Sequence, residues 1–414
     1  MDKTILPGRV KGTLMPPCSK SYAQRALAAA LLCEGVSQLR NIEFCNDTCS
    51  ALRCIETLGA EVRQEDASTL VIRGGLRPRG DRLHVGESGL ATRLFTPVAA
   101  LCEAPIRIEG EGSILDRPMR MMVEPLRSLG VEISDTKGHL PIRVRGPIRG
   151  GEVTVDGSVS SQFITGLLLA LPRAAEDTTL HVRRAVSTPY LDMTVDTAKR
   201  FGIEISQRDY EEFYIPGGQR YEATDFAIEG DWSAAAMLLV MGATAGEITV
   251  DNVSMLSKQA DTAICTALVR AGAVVIHEAN TITAAHRPLQ AFEFDATNCP
   301  DLFPALAALA AAADGVSVLH GTSRLTYKEC NRADAIRDEY ARLGIEVDTS
   351  EENVMKIRGG AVHGAVVDSH NDHRMAMSLA VAALRADRAV TIRGAESVAK
   401  SYPEFFEALE QVRS

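Results

Sequence analysis

The sequence lacks an excess of positive charge. Its 414 residues carry 44 Lys and Arg against 54 Asp and Glu, which gives a net charge of −10 at pH 7. A protein this acidic is poorly suited to non-specific binding of nucleic acid or of anionic membranes, so neither is expected as a partner. Any anionic ligand must therefore be held by a local cluster of basic side chains.

Long apolar runs and paired cysteines are also absent. The longest apolar runs, 26–33 and 305–313, fall far short of the roughly 20 residues that span a bilayer. The N-terminal segment has no apolar core of a secretory signal, and the nine cysteines contain no CxxC pair. These features predict a cytoplasmic protein with reduced thiols, without a disulfide framework or a zinc site.

What the chain does contain is a repeat of about 71 residues. Five helix-like runs end in Gly and are followed by a short β-like run, as in TLGAEV and SLGVEI. Glycine just past a helix supplies the left-handed residue that ends it. A sixth helix at the C-terminus lacks its strand, and the N-terminal segment is a candidate for that strand. The five glycines are Gly59, Gly130, Gly202, Gly272 and Gly344.

Each repeat carries a second helix that is apolar nearly all round, as buried helices are. Six such repeats predict an α/β protein of two domains with three repeats each. We place domain I at residues 1–18 plus 228–414, and domain II at residues 19–227. The N-termini of the buried helices are expected to face a cleft between the domains.

Polar residues and cations cluster where both sets of helices are predicted to start. Unpaired N–H groups and the helix dipole make such a start a binding site for anions. Ser, Asp and Asn there are also ordinary N-caps, but a cation in a first turn opposes the dipole and needs another reason. The repeated cations predict a site for ligands with several negative charges. The cations are Lys20, Arg25, Arg93, Arg117, Lys328, Arg332, Arg374 and Lys400.

The sequence blocks that carry these residues resemble one enzyme family. PPCSKSYAQRAL, GSVSSQF, STPY, YKECNR, NDHRMAM and AKSYPEFF are similar to blocks of 5-enolpyruvylshikimate-3-phosphate synthase. The resemblance implies two domains of three βαβαββ units each. It also implies transfer of the enolpyruvyl group of phosphoenolpyruvate to the 5-hydroxyl of shikimate 3-phosphate, through a tetrahedral intermediate and with release of phosphate. Neither an organic cofactor nor a metal is implied.

The resemblance also implies a role for each matching position. Asp301 is implied to take the proton of the 5-hydroxyl, and Glu329 and Lys20 are implied to move protons at C3 of phosphoenolpyruvate. The residues implied to bind shikimate 3-phosphate are Lys20, Ser21, Arg25, Ser160, Ser161, Gln162, Ser187, Tyr190, Asp301, Arg324 and Lys328. Those implied to bind phosphoenolpyruvate are Lys20, Gly89, Arg117, Gln162, Arg332, Arg374 and Lys400.

Five positions depart from the commoner pattern of the family. Glu87 stands where Asn is usual, and Leu90 where a Thr hydroxyl is usual. An additional carboxylate beside a phosphate site should cost affinity unless Glu87 turns away or pairs, for instance with Arg93. The remaining departures are Arg324, Cys330 and Asn331.

Two other functions compete with this interpretation. UDP-N-acetylglucosamine enolpyruvyl transferase shares the fold and the donor, but it uses a Cys in a mobile loop, and here that loop reads GEGSILDRPMR. The other is a catalytically weakened binding protein of the same fold, which the unusual residues Glu87, Arg324 and Asn331 favour. We expect a monomer that takes small anionic substrates.

Overall fold

The computed structural model describes residues 1–326 and 328–414, and within them it contains twelve α-helices and 23 β-strands. The helices are α1 (Lys20–Leu32), α2 (Asn46–Thr57), α3 (Gly89–Ala99), α4 (Val123–Ser128), α5 (Ser161–Ala170), α6 (Pro189–Arg200), α7 (Trp232–Ala245), α8 (Ile264–Arg270), α9 (Phe303–Ala311), α10 (Arg332–Arg342), α11 (His373–Ala383) and α12 (Phe405–Val412). The strands are β1 (Asp2–Ile5), β2 (Val10–Leu14), β3 (Val36–Arg40), β4 (Glu61–Gln64), β5 (Leu70–Arg73), β6 (Arg82–His84), β7 (Ile106–Glu109), β8 (Glu132–Thr136), β9 (His139–Arg145), β10 (Gly151–Asp156), β11 (Thr178–Arg183), β12 (Ser206–Arg208), β13 (Glu212–Ile215), β14 (Asp225–Ala227), β15 (Gly246–Val250), β16 (Val274–Glu278), β17 (Thr281–Ala285), β18 (Glu293–Asp295), β19 (Val316–His320), β20 (Glu346–Asp348), β21 (Val354–Arg358), β22 (Val366–Asp368) and β23 (Val390–Arg393).

One order of elements, strand–helix–strand–helix–strand–strand, recurs along the chain. In residues 82–145, β6 and β7 pair in parallel, β9 pairs antiparallel with β7, and β8 lies outermost. The same strand order is found in the sheets β10-β11-β13-β12 and β18-β19-β21-β20. The predicted α/β class with a βαβαββ repeat is therefore confirmed.

The predicted glycine stops are confirmed at all five positions. Gly59, Gly130, Gly202, Gly272 and Gly344 have positive φ angles between +80° and +121°. Each directly follows the C-cap residue of a helix, and the N–H of the next residue bonds back to a carbonyl in the last helical turn. This pattern satisfies carbonyl groups that would otherwise be unpaired at the helix end.

The N-terminal segment supplies the strand that the last repeat lacks. β1 pairs antiparallel with β23, with Asp2 opposite Arg393 and Ile5 opposite Val390. The C-terminal run forms α12, as predicted. The N-terminal strand therefore completes the three-stranded sheet of the last repeat, in the order β1-β23-β22.

The chain divides into two compact units. The terminal unit contains Met1–Pro17 and Gly230–Ser414, and the inserted unit contains Cys18–Glu229. The chain passes from one unit to the other twice, after β2 and after β14. In both cases the strand pairs within the unit that precedes the crossing. β2 precedes α1 but pairs with β15, and β14 precedes α7 but pairs with β3.

Three helices form the core of each unit. In the inserted unit α1, α3 and α5 are buried on nearly every face, and in the terminal unit α7, α9 and α11 are buried in the same way. Close packing depends on small residues, because a side chain at Gly166 of α5 would start 2.5 Å from the carbonyl oxygen of Arg93 in α3. In the described part of the chain, no helix is long and apolar enough to cross a membrane.

Candidate active site

Polar residues begin most of the buried helices, and many of the predicted site residues lie at these starts. A helix start presents unpaired N–H groups, which favour anions and oxygen acceptors. In each of the following cases the side chain of the capping residue accepts a hydrogen bond from the first helical turn. The capping residues are Ser19 for α1, Ser88 for α3, Ser160 for α5, Asp231 for α7 and Asp372 for α11.

Arg25 lies in the second turn of α1, and it is only 1% exposed. Its guanidinium donates to the hydroxyls of Thr194 (2.9 Å) and Thr165 (3.2 Å) and to the carbonyls of Ser21 (2.7 Å) and Tyr190 (3.1 Å). All four acceptors are neutral, and burial lowers the pKa of Arg25 to about 10. Arg25 is therefore a buried cation held by dipoles, which leaves its charge available to an anion.

A second pair of arginines lies beside the starts of α3 and α5. Arg93 donates to the side-chain oxygen of Gln162 (2.8 Å) and to the carbonyl of Pro118 (3.1 Å). A side chain at Gly89 would start only 2.5 Å from a terminal nitrogen of Arg117. Glycine at this position therefore allows the Arg117 guanidinium to lie directly against the start of α3.

The remaining predicted residues of the inserted unit lie at or just before the starts of α1, α5 and α6. Lys20 forms an ion pair with Asp47 of α2 at 3.0 Å, and both side chains are 14% exposed. The Ser160 hydroxyl accepts a hydrogen bond from the backbone N–H of Gln162 at 3.2 Å. Ser187 is buried, and its φ of +55° is a left-handed conformation just before α6.

The unusual carboxylate of Glu87 is directed toward its own loop. It accepts hydrogen bonds from the backbone N–H of Ser113 (2.9 Å) and from the Ser113 hydroxyl (2.8 Å). A side chain at Gly112 would collide with it, since the added carbon would lie 2.5 Å from the carboxylate. Leu90, the other departure in this block, is buried.

In the terminal unit, Asp301 is the centre of a cluster of charges. It accepts hydrogen bonds from Arg332 (2.7 Å) and Lys328 (3.1 Å), and Arg374 lies 3.5 Å away. Burial alone would raise its pKa, but these three cations hold the pKa of Asp301 well below its ordinary value. Burial also lowers the pKa of Lys328. Asp301 is therefore ionised at neutral pH and is a weak base while the three cations surround it.

Arg332 is fully buried and is surrounded by carboxylates. It donates to Asp372 (2.7 Å), to Asp301 (2.7 Å) and to Glu329 (2.7 Å). Burial alone would lower its pKa, but the three carboxylates, Asp372 foremost, raise the pKa of Arg332 well above its ordinary value. All of its charge is thus matched within the unit.

Two further cations lie near the start of α11. Arg374 is 5% exposed, and its backbone N–H donates to the capping carboxylate of Asp372 at 2.8 Å. The Lys400 ammonium donates to the carbonyl of Asn371 at 2.7 Å. The block NDHR therefore supplies the cap of α11, the Arg374 cation and the carbonyl that holds Lys400.

The other three departures lie around Arg332. The Cys330 thiol is 3.7 Å from an oxygen of Asp372, and the amide of Asn331 donates to Asp334 at 2.5 Å. Burial lowers the pKa of Arg324, against the opposing charge of Asp301. Tyr327, the first residue of the block YKECNR, lies outside the described residues.

The prediction that Arg117, Lys328 and Lys400 lie at helix starts is wrong. Arg117 follows a short 3-10 helix and has extended backbone angles, because the next residue is Pro118, which disfavours a helical conformation before it. Lys328 lies in the loop before α10, which begins at Arg332, and Lys400 ends a 3-10 helix. These cations therefore lie before the α-helices that follow them, either in a loop or at the end of a 3-10 helix.

Several residues that hold the site together were missed from the sequence. Thr165 and Thr194 hold Arg25 from two other helices, and Asp47 pairs with Lys20. No local pattern marks these three, because their partners are far away in sequence. Asp372 could have been predicted to cap α11, since an acidic residue directly before a helix is a strong N-cap candidate.

Comparison with known proteins identifies the family. A family model described as EPSP synthase (3-phosphoshikimate 1-carboxyvinyltransferase) matches residues 6–409. The chain is 33% identical to the 3-phosphoshikimate 1-carboxyvinyltransferase of Clostridium novyi (strain NT) and 37% identical to that of Aeropyrum pernix, in each case over 99% of this chain and 96% of the relative. The solved EPSP synthase of Acinetobacter baumannii matches with a TM-score of 0.85 at 26% identity, over 100% of this chain and 98% of that one. The chain therefore belongs to the EPSP synthase family, and it is a transferase of the shikimate pathway.

Proposed function

We propose that this transferase moves the enolpyruvyl group of phosphoenolpyruvate to the 5-hydroxyl of shikimate 3-phosphate. C3 of phosphoenolpyruvate gains a proton and the hydroxyl oxygen bonds to C2, which gives a tetrahedral intermediate. Phosphate then leaves C2 while C3 loses a proton, so the enol double bond is restored. The observation that carries the proposal is Asp301, an ionised carboxylate surrounded by three cations at the start of a buried helix.

Shikimate 3-phosphate, the acceptor substrate, is assigned to hydroxyl and cationic side chains of the inserted unit together with cations of the terminal unit. Arg25 and Ser21 bind the carboxylate of shikimate 3-phosphate, and the buried charge of Arg25 supports this role. The rest of the set binds the 3-phosphate and the ring. That set is Ser160, Ser161, Gln162, Ser187, Tyr190, Arg324 and Lys328.

We assign the proton of the 5-hydroxyl to Asp301, whose strength as a base depends on the substrates. With Lys328, Arg332 and Arg374 beside it, the pKa of Asp301 is too low for an efficient general base. When the carboxylate of phosphoenolpyruvate binds Arg332 and Arg374, it offsets two of these charges. The pKa of Asp301 then rises at the moment when it must accept a proton.

Binding of that carboxylate also requires Arg332 to exchange partners. Its guanidinium nitrogens are directed at Asp301, Glu329 and Asp372, so a new acceptor must displace one of them. We infer that Glu329 is displaced, since its side chain is 19% exposed whereas that of Asp372 is fully buried. The displaced Glu329, together with Lys20, then transfers the protons at C3.

The phosphate of phosphoenolpyruvate is assigned to Lys20, Arg117, Gln162 and Lys400. The close approach of Arg117 to Gly89 supports this role. Glu87, directed at Ser113, adds its charge to the loop rather than to Arg117. This arrangement argues against the weakened-binder alternative, and the family assignment does not favour the sugar-nucleotide acceptor.

We further infer that the protein acts in the cytoplasm as a monomer. The buried thiols of Cys54, Cys102 and Cys265 form no disulfide, and burial raises their pKa, which suits a reducing compartment. Sedimentation velocity tests the oligomeric state, and a single species near the mass of one chain is expected.

Release of phosphate from phosphoenolpyruvate tests the function. The purified protein is offered shikimate 3-phosphate or UDP-N-acetylglucosamine as acceptor, and release is expected with shikimate 3-phosphate alone. Asp301→Ala should abolish it, whereas Asp314→Asn removes an exposed carboxylate of the same unit and should not change it. Release with the sugar nucleotide alone, or with neither acceptor, would refute the proposal.

A further inference from the structure

A buried carboxylate behind Asp301 has no role in the mechanism described above. Asp261 lies in the 3-10 helix directly before α8, and it is 1% exposed. One of its oxygens accepts a hydrogen bond from the hydroxyl of Ser233, in the first turn of α7. Within the described residues, its Oδ1 atom has no hydrogen-bond partner.

The charged and titratable groups that face Asp261 come from three other elements. Asp231 caps α7, Cys299 and Asp301 precede α9, and Arg374 lies in the first turn of α11. Arg374 is therefore the cation that Asp261 shares with Asp301. Asp301 has Lys328 and Arg332 in addition, whereas Asp261 has no salt bridge of its own in the part of the chain that the structure describes.

This environment disfavours a negative charge on Asp261. Burial, followed by repulsion from Asp301, raises the pKa of Asp261 to about 7, although Arg374 and Ser233 oppose the rise. An ionised carboxylate buried with an unpaired oxygen is costly, whereas a protonated carboxyl group carries no charge and therefore has a much smaller cost of burial. The two carboxyl groups thus differ, with Asp301 ionised and Asp261 able to hold a proton.

We propose that Asp261 is a positioning residue that carries a proton in the working enzyme and thereby leaves Arg374 to Asp301 and to the substrate carboxylate. This inference rests on the proposed function, in which Arg374 binds the carboxylate of phosphoenolpyruvate. An ionised Asp261 would attract the same guanidinium and would add a negative charge close to the bound anion. Loss of the proton therefore weakens binding of phosphoenolpyruvate more than it slows turnover.

The first test is the pH profile of kcat/KM for phosphoenolpyruvate, at saturating shikimate 3-phosphate. Between pH 6.5 and 8.5 the protonated fraction of a group with a pKa near 7 falls about 25-fold. The kcat/KM of the wild type should fall by about this factor, mainly because KM rises. The kcat/KM of Asp261→Asn, whose side chain mimics the neutral carboxyl group, should fall less than about twofold. Asp314→Asn is the matched control and should follow the wild type.

Two results would overturn the inference. One is the same fall in Asp261→Asn as in the wild type, and the other is a folded Asp261→Asn that is inactive at every pH. If the variant does not fold, Ser233→Ala replaces it. Loss of the Ser233 hydrogen bond should move the fall of the wild-type profile to higher pH, and an unchanged profile would contradict the proposal.

A second readout does not depend on any activity. The pKa of folded Asp261 lies above its unfolded value of about 3.9, so its contribution to stability is present below that value and is lost as pH rises through about 7. The urea midpoint of Asp261→Asn relative to the wild type should therefore rise between pH 5 and 8. A constant difference would contradict the protonated state. If the wild type releases no phosphate at all, the proposed function fails while this measurement still decides the state of Asp261.

Discussion

Arg25 of the inserted unit and Arg332 of the terminal unit are both fully buried, but they are held in opposite ways. Arg25 donates only to neutral oxygens, and burial lowers its pKa to about 10. Arg332 contacts three carboxylates, and these raise its pKa well above its ordinary value. The guanidinium group is the same, and only its acceptors differ.

The difference separates binding from chemistry. A buried cation with neutral acceptors gains most when an anion arrives, because no carboxylate of the protein competes with the anion for its charge. A cation matched by carboxylates gains less, but an arriving anion changes the charge state of the carboxylates that it frees. The inserted unit is therefore suited to holding an anion, and the terminal unit to coupling anion binding to proton transfer.

The largest expected effect is the loss of kcat when Asp301, the carboxylate among the three cations of the terminal unit, is replaced. Asp301→Asn removes the proposed base, and loss of a general base typically lowers kcat by about 10²- to 10⁴-fold. Steady-state kinetics with both substrates measures it. A change of less than tenfold would show that Asp301 only organises the three cations.

The second prediction contrasts the stability roles of the two arginines. Arg332→Met leaves Asp301, Glu329 and Asp372 without their shared cation, and breaking a buried ion pair in this way costs about 3–5 kcal/mol. Urea unfolding of the variant should show a loss of this size. A loss below about 1 kcal/mol would mean that the carboxylates find other partners or take up protons.

The same substitution in the inserted unit should affect binding more than folding. Arg25→Met leaves behind only neutral acceptors. The hydroxyl oxygens of Thr165 and Thr194 already lie 3.0 Å apart, so these two groups can bond to each other. The cost in stability should stay below about 2 kcal/mol. The KM for shikimate 3-phosphate should rise about 10- to 100-fold, since hydrogen bonds to a charged group contribute about 1.5–3 kcal/mol. If Arg25→Met unfolds the protein as readily as Arg332→Met, the contrast between the units is wrong.

The smallest effect is expected at Gly89. Its φ is not in the left-handed region, so Gly89→Ala adds no backbone strain, but the new methyl group would meet the Arg117 guanidinium at 2.5 Å. Arg117 must then move, and the KM for phosphoenolpyruvate should rise about tenfold, as for the loss of about 1.4 kcal/mol. The KM for shikimate 3-phosphate is the internal control and should not change.

The order of helices and strands could be predicted from the sequence because it depends on local patterns of residues. Each helix stop needs a residue that tolerates a positive φ, so Gly59 and its four counterparts mark the repeat without any tertiary information. Buried helices are apolar nearly all round, so the core helices could be recognised as well. The cations could be identified as candidate binding residues, because more of them lie near predicted helix starts than helix formation alone explains.

The partners of those cations were decided by the tertiary structure alone. Whether a buried arginine meets threonine hydroxyls or carboxylates depends on distant residues that only the packing of helices brings together. Thr194 lies 169 positions from Arg25, and Asp372 lies 40 positions from Arg332. Charge states follow from those contacts, because burial and neighbouring charges set each pKa. The sequence by itself therefore determined the repeat, the fold class and the set of charged residues, and the tertiary structure decided which carboxylate is ionised and which can hold a proton.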